Sequence, residues 1–196
     1  MSNTILTGEA AADILAAMQK AGLNGWEMFV PEGVEEIAPG AFAGMKNLRR
    51  VQLPKTLRRI GAAAFYGCGN LAQIALPAGL VELGTAAFKN SGLQEISIPP
   101  RVARLGGEVF ADSALRCAEI KGRQTGASMF RGCCQLAKVQ LSGNTRKIEA
   151  GMFRDCAALK TLRLPEKLEQ IGIEAFAGCG ALERLSIPES VREMGE

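Results

Sequence analysis

Seven of the eight phenylalanines in this chain recur at a nearly fixed step. Phe42, Phe65, Phe88, Phe110, Phe130, Phe153 and Phe176 are separated by 23, 23, 22, 20, 23 and 23 residues. A fixed apolar pattern with a period of 20 to 29 residues marks a chain whose units cannot each bury an apolar face alone and must stack on their neighbours. The spacing predicts a solenoid.

Aligning on these phenylalanines exposes the other columns. Five residues before each lies Ile37, Ile60, Leu83, Leu105, Thr125, Ile148 or Ile171, and eight before lies Val34, Leu57, Leu80, Val102, Gly122, Thr145 or Leu168. An apolar triplet follows the Phe and in most units ends in proline, as in Leu48, Val51, Leu53, Pro54 and in Leu159, Leu162, Leu164, Pro165. The V-x-L spacing has a period of two, so each unit is expected to supply one short strand with alternate side chains turned inward. Proline stops the strand because it has no N–H to give a ladder. The L-x-x-I-G-x-x-A-F stretch predicts a second short extended piece and a turn at Gly61, Gly84, Gly106 or Gly172, where glycine serves either a positive φ or a close backbone approach.

The unit LPKTLRRIGAAAFYGCGNLAQIAL, repeated as LPEKLEQIGIEAFAGCGALERLSI, closely resembles the BspA-like class of bacterial leucine-rich repeats over about residues 31–196. That resemblance implies an α/β repeat fold: a right-handed leucine-rich-repeat solenoid of short parallel strands, with one strand-turn unit per ~23 residues. It also implies binding of other macromolecules at bacterial surfaces. The partner is a separate question, since one fold hosts many functions.

Two parts are expected: an N-terminal cap over residues 1–30 and a solenoid of about seven units over residues 31–196. Thr7 suits the N-cap of a helix running to about Ala21, with Ile14, Leu15 and Met18 on one face and Gly22 past its end. WEMFVP at 26–31 aligns with RRVQLP at 49–54, which makes Met28 and Val30 the inward residues of a zeroth strand. Phe29 then points outward beside Trp26, where the helix is expected to cover it; the alternative is that a binding patch begins there. After Pro188 the chain starts another unit with Val191 and Met194 but reaches no further Ala-Phe, so the last unit is expected to be incomplete. Homo-association through that open strand edge is one expectation, and a place inside a longer array is another.

The 196 residues are 47% hydrophobic and 22% charged, enough apolar side chain for one continuous core. The N-terminus has no basic region followed by an apolar run, and no apolar stretch is long enough for a membrane span. On that ground the chain reads as cytoplasmic and not membrane-inserted. A cell-surface or secreted location is the expectation if it is a processed or truncated piece.

Catalytic signatures are missing. The chain has no histidine, the commonest general base, and no nucleophile elbow, Walker loop, dinucleotide fingerprint or H-E-x-x-H. Cys68, Cys133, Cys156 and Cys179 all sit three residues after a repeat Phe, as small core side chains and buried free thiols. No cofactor and no metal are expected, since C-x-x-C is absent. The chain is read as non-enzymatic.

Charge is banded along the sequence. No acidic residue lies between Glu36 and Glu82, where Lys46, Arg49, Arg50, Lys55, Arg58 and Arg59 occur. None lies between Glu119 and Glu149, where Lys121, Arg123, Arg131, Lys138, Arg146 and Lys147 occur. These bands predict an anion-binding surface formed by Lys46, Arg49, Arg50, Lys55, Arg58, Arg59, Lys121, Arg123, Arg146 and Lys147. The outward strand positions predict a polar face bearing Arg50, Gln52, Gln73, Glu95, Glu119, Lys138, Gln140, Arg163 and Arg184, with no aromatic anchor. The first functional expectation is a protein-protein interaction module using that face. The alternatives are an anionic-polymer binder, for an acidic glycan or nucleic acid, and a structural spacer in a longer surface protein. The 20-residue step carries Gly122 and Thr125 at apolar columns, which predicts thinner packing and a bend or greater mobility around residues 121–128.

Overall fold

The computed structural model of the protein describes residues 4–20 and 27–195. In chain order the elements begin with β1 (Thr4–Leu6), α1 (Gly8–Lys20), β2 (Glu27–Phe29) and β3 (Val34–Ile37). There follow β4 (Arg50–Gln52), β5 (Arg59–Ile60), β6 (Gln73–Ile74), β7 (Glu82–Leu83), β8 (Glu95–Ile98) and β9 (Arg104–Leu105). The last are β10 (Cys117–Ile120), β11 (Lys138–Gln140), β12 (Lys147–Ile148), β13 (Gln170–Ile171) and β14 (Glu193–Met194). Among the described residues α1 is the only helix, so the fold is a β-solenoid of about seven turns with a helical N-terminal segment.

Both extended pieces of the repeat form parallel walls. The V-x-L pieces pair as β2-β4-β6 and β8-β10-β11, and the x-x-I pieces as β1-β3-β5-β7-β9 and β12-β13-β14. Residues one period apart lie side by side: Met28 opposes Val51, Val51 opposes Ile74, and Ile37 opposes Ile60. Inward residues of both walls are buried, among them Met28, Val51, Leu57, Ile60 and Leu83.

The third side of each coil is the turn around the phenylalanine. The seven rings form one column, stacked at centroid separations from 4.8 to 5.8 Å with interplanar angles of at most 14°. Phe42 through Phe153 are fully buried, while Phe176 at the C-terminal end is only partly so. The backbone at the Phe and two residues to either side donates to the next coil. Gly40, Phe42 and Gly44 bond to the carbonyls of Ala62, Ala64 and Tyr66 at 2.9, 2.8 and 2.7 Å, and the same triple recurs at every step to Phe153.

That ladder has a backbone cost. Two residues before and two after each Phe, φ is positive, as at Ala63, Ala86, Glu108, Asn90, Asp112 and Gly132. The later position uses only residues that tolerate this conformation, Gly, Asn or Asp, whereas the earlier one also holds Ala, Ser and Glu. The turn glycines Gly61, Gly84, Gly106 and Gly172 serve close approach. A Cβ at Gly84 would lie 2.4 Å from the backbone nitrogen of Ala62, and one at Gly61 would lie 2.5 Å from that of Pro39.

At the short unit the x-x-I wall breaks, but the Phe turn and the V-x-L ladder of β8, β10 and β11 do not. The x-x-I wall stops at β9 and resumes at β12, and in the gap the Thr125 hydroxyl donates to the carbonyl of Lys147 at 2.8 Å. The three turn bonds from Phe110 to Phe130 and from Phe130 to Phe153 are nonetheless intact. Beside Gly122 and Thr125, larger apolar side chains stand at another column. The residue before the Phe, alanine in most units, becomes Val109, Met129 and Met152 here, and all three are fully buried.

The N-terminal segment is itself a modified coil. Thr7 caps α1 with its hydroxyl, which accepts from Ala10 N–H at 3.3 Å. β1 pairs with β3, setting Leu6 beside Ile37, and Ala11 five residues later is fully buried where a Phe would stand. Residues 4–6 carry no V-x-L alternation to mark a strand, although the Leu6 to Ala11 step repeats the five-residue step from Ile37 to Phe42. Gly22 and Trp26 lie outside the described residues, as do the side chains of Leu15 and Met18. Phe29 is 51% exposed, so it is not covered as expected.

Candidate functional site

Strand alternation turns one row of side chains on the V-x-L wall inward and leaves the other for solvent. Arg50, Gln52, Gln73, Glu95, Lys138, Gln140, Arg163 and Arg184 are exposed, and Glu119 is half-buried. Two depressions lie on this wall. One of about 740 Å³ brings together Arg50, Gln52, Gln73 and Glu95. The second, of about 830 Å³, brings together Glu95, Ser97, Glu119, Lys121, Lys138 and Gln140. Arg163 and Arg184 border neither. Both depressions span the gap between β6 and β8, which are not paired, and apolar residues line them: Ile74 lines both, joined by Leu76, Ile96 and Val139 in the second. Phe29, paired in register with Gln52, adds an exposed aromatic to the N-terminal end of the wall.

The polar groups of the wall are cross-linked between coils. Arg50 reaches Glu27 at 2.7 Å and the Gln73 side-chain oxygen at 3.2 Å. Glu119 accepts from the Ser97 hydroxyl at 2.7 Å and lies 3.3 Å from Lys121. Those two interactions, the Ser97 bond first, hold the Glu119 carboxyl below its ordinary range.

Stacking also redistributes the charge bands. Coils one period apart are neighbours, so a basic residue meets the acid that stands about 23 positions away. Arg59 donates to Glu36 at 2.6 and 2.8 Å and Arg146 pairs with Glu169, while Lys147 lies 2.9 Å from Glu149 of its own coil. Along the x-x-I wall, Glu36, Arg59, Glu82 and Arg104 alternate in sign in adjacent register, with Arg104 2.6 Å from Glu82. Arg58 donates to the Gly79 carbonyl at 3.1 Å. Lys46, Arg49, Lys55 and Arg123 are exposed, and they do not line the two depressions. Arg50 and Lys121, which do line them, are both ion-paired.

The cysteines are free thiols. Cys68, Cys133, Cys156 and Cys179 each direct their sulfur at the carbonyl of the preceding repeat Phe, at 3.0, 3.1, 3.2 and 3.0 Å. Burial pushes the Cys68 and Cys133 thiols up to about 11 and raises those of Cys156 and Cys179 as well. A thiol held protonated in this way is a poor nucleophile and a poor ligand. Among the described residues no group of three or more His, Cys, Asp or Glu side chains is placed to hold a metal ion. Among the same residues no helix is long and apolar enough to cross a membrane.

Comparison with known proteins agrees with this geometry. The model of the BspA type leucine-rich repeat region matches residues 21–125 and 123–196, in 6 copies. No curated protein matches the chain. Among solved structures, a leucine-rich repeat protein of Bacteroides ovatus is 29% identical with a TM-score of 0.75, over 86% of this chain and 45% of that one. One from Eubacterium ventriosum, 21% identical with a TM-score of 0.66 over 86% of this chain and 46% of that one, shares the fold. The leucine-rich repeat protein of T. pallidum is 30% identical with a TM-score of 0.58, over 87% of this chain and 73% of that one. The chain thus spans less than half the length of the B. ovatus and E. ventriosum proteins. With the family pattern matched along nearly its whole length, the chain belongs to the BspA type leucine-rich repeat family.

Proposed function

We propose that this protein is a non-catalytic binding module that engages a protein partner through the exposed face of its V-x-L wall. The observation that carries this reading is the pair of adjoining depressions, about 740 and 830 Å³, with apolar floors and polar rims on one side of the solenoid. Such a surface offers burial to apolar side chains and orientation to polar ones. Phe29 supplies the large exposed anchor that interaction hot spots favour. The basic bands support anionic-polymer binding less well, because Arg50, Arg59, Lys121, Arg146 and Lys147 are already engaged by carboxylates.

Panning a displayed random-peptide library against the protein tests the reading. Binders are expected, and they should be lost on the double variant Ala75→Arg, Ser97→Arg, which fills both depressions from exposed positions. Binders retained by a folded double variant would contradict it.

A further inference from the structure

The two ends of the V-x-L wall differ in charge. In its N-terminal half the outward charged residues include acids, Glu27, Glu95 and Glu119, and the cations Arg50 and Lys121 are ion-paired. In the last three coils the outward positions hold Lys138, Gln140, Thr161, Arg163, Arg184 and Ser186. Among the described residues, Lys138, Arg163 and Arg184 take part in no ion pair, although carboxylates neutralise Arg146 and Arg154 on other sides of the same coils. Glu166 and Glu189 follow the strand-ending prolines of these coils; within the strand segments the nearest acids are Glu119, engaged by Ser97 and Lys121, and Glu183, which precedes Arg184. Exposed Lys160 stands at the position of Glu183 one coil earlier and offsets it.

We infer that the C-terminal three coils of this face dock an extended acidic peptide segment of the partner. The inference rests on the sheet-face reading above and names the chemistry of what is bound. Adjacent coils are 5.8 and 5.6 Å apart in the Phe column, which puts Lys138 and Arg184 about 11 Å apart along the solenoid. An extended chain of polyproline II geometry has three residues per turn and rises ~3.1 Å per residue, so carboxylates three residues apart share one face about 9 Å apart, within side-chain reach of both cations. Arg163, between them in the middle coil, has a planar guanidinium that takes a carboxylate bidentately. Lys138 also lines the second depression, whose floor of Ile74, Leu76, Ile96 and Val139 accepts apolar side chains of the same segment. A polysaccharide or nucleic acid makes no use of that floor, and no aromatic side chain stands at the cationic positions for base stacking. A peptide pairing acidic with apolar residues matches both parts.

The experiment is fluorescence anisotropy with a labelled decapeptide that has glutamate at every third position and leucine and serine between. The native protein is expected to bind it, and the triple variant Lys138→Gln, Arg163→Gln, Arg184→Gln to bind at least tenfold more weakly. The double variant Arg101→Gln, Arg192→Gln, of equal charge change per residue, should bind as the native protein does. Equal affinity of the native protein and a folded triple variant would overturn the inference. So would equal affinity for the glutamine version of the peptide, or tighter binding of a heparin decasaccharide or an oligothymidine. If the acidic peptide fails to bind while library-selected peptides are still lost on Ala75→Arg, Ser97→Arg, the inference falls and the sheet-face reading stands. If the selected peptides survive that double substitution, both fall.

Discussion

At the residue scale, close stacking makes small differences expensive. Gly84 has no room for a methyl group, because a Cβ there would sit 2.4 Å from a backbone nitrogen that cannot move aside. Gly84→Ala is therefore expected to cost about 2–4 kcal/mol in a urea titration, whereas at Gly69 nothing lies within 4 Å and Gly69→Ala should change stability by about 0.5 kcal/mol or less. The buried thiols add a pH dependence. Their pKa is raised on folding, so their contribution is complete below the unfolded value and is lost as pH rises toward the folded one. For Cys68 and Cys133 that window runs from the ordinary value of 9.0 to about 11, and unfolding free energy should fall across it. At pH 8 a thiol reagent should modify exposed Cys134 first and Cys68, Cys133 and Cys156 only on unfolding.

At the element scale, the Phe turn is the continuous part of the molecule and the strands are not. Phe88 is buried between two rings, 5.0 and 5.5 Å away, and Phe88→Ala should cost about 3–5 kcal/mol. Phe176 is stacked on one side only, so Phe176→Ala should cost about half as much. Calorimetry on the two variants gives the comparison. The Phe column and the V-x-L alternation were legible in the sequence because both are apolar periods. The second wall was legible only as an extended piece, since two residues such as Arg59 and Ile60 carry no alternation to read. β1 was missed because Ala11 stands where the period calls for Phe. The compensation by Met129 and Met152 was also hidden, because volume lost at Thr125 and regained at another column leaves no mark in a position-by-position alignment.

At the scale of the whole molecule, adjacency in space is adjacency at one period, and this governs charge more than local sequence does. The bands around Arg58 and Arg146 are real in the sequence, yet folding places Glu36 beside Arg59 and Glu169 beside Arg146. Such exposed pairs contribute only about 0.2–1 kcal/mol each to stability, but they remove cations from the surface a partner meets. What remains unpaired on the V-x-L wall, Lys138, Arg163 and Arg184, could be named individually from the sequence but not distinguished from the rest. The central structural claim is that the Phe turn carries the inter-coil ladder through the short unit while the x-x-I wall is interrupted there. Amide hydrogen exchange resolved to single residues tests this most directly. The N–H groups of Phe88, Phe110, Phe130 and Phe153 should exchange slowest and alike, with those of residues 122–125 the fastest in the interior of the array. Phe110 and Phe130 exchanging as fast as residues 122–125, or residues 122–125 as protected as the Phe turns, would contradict it.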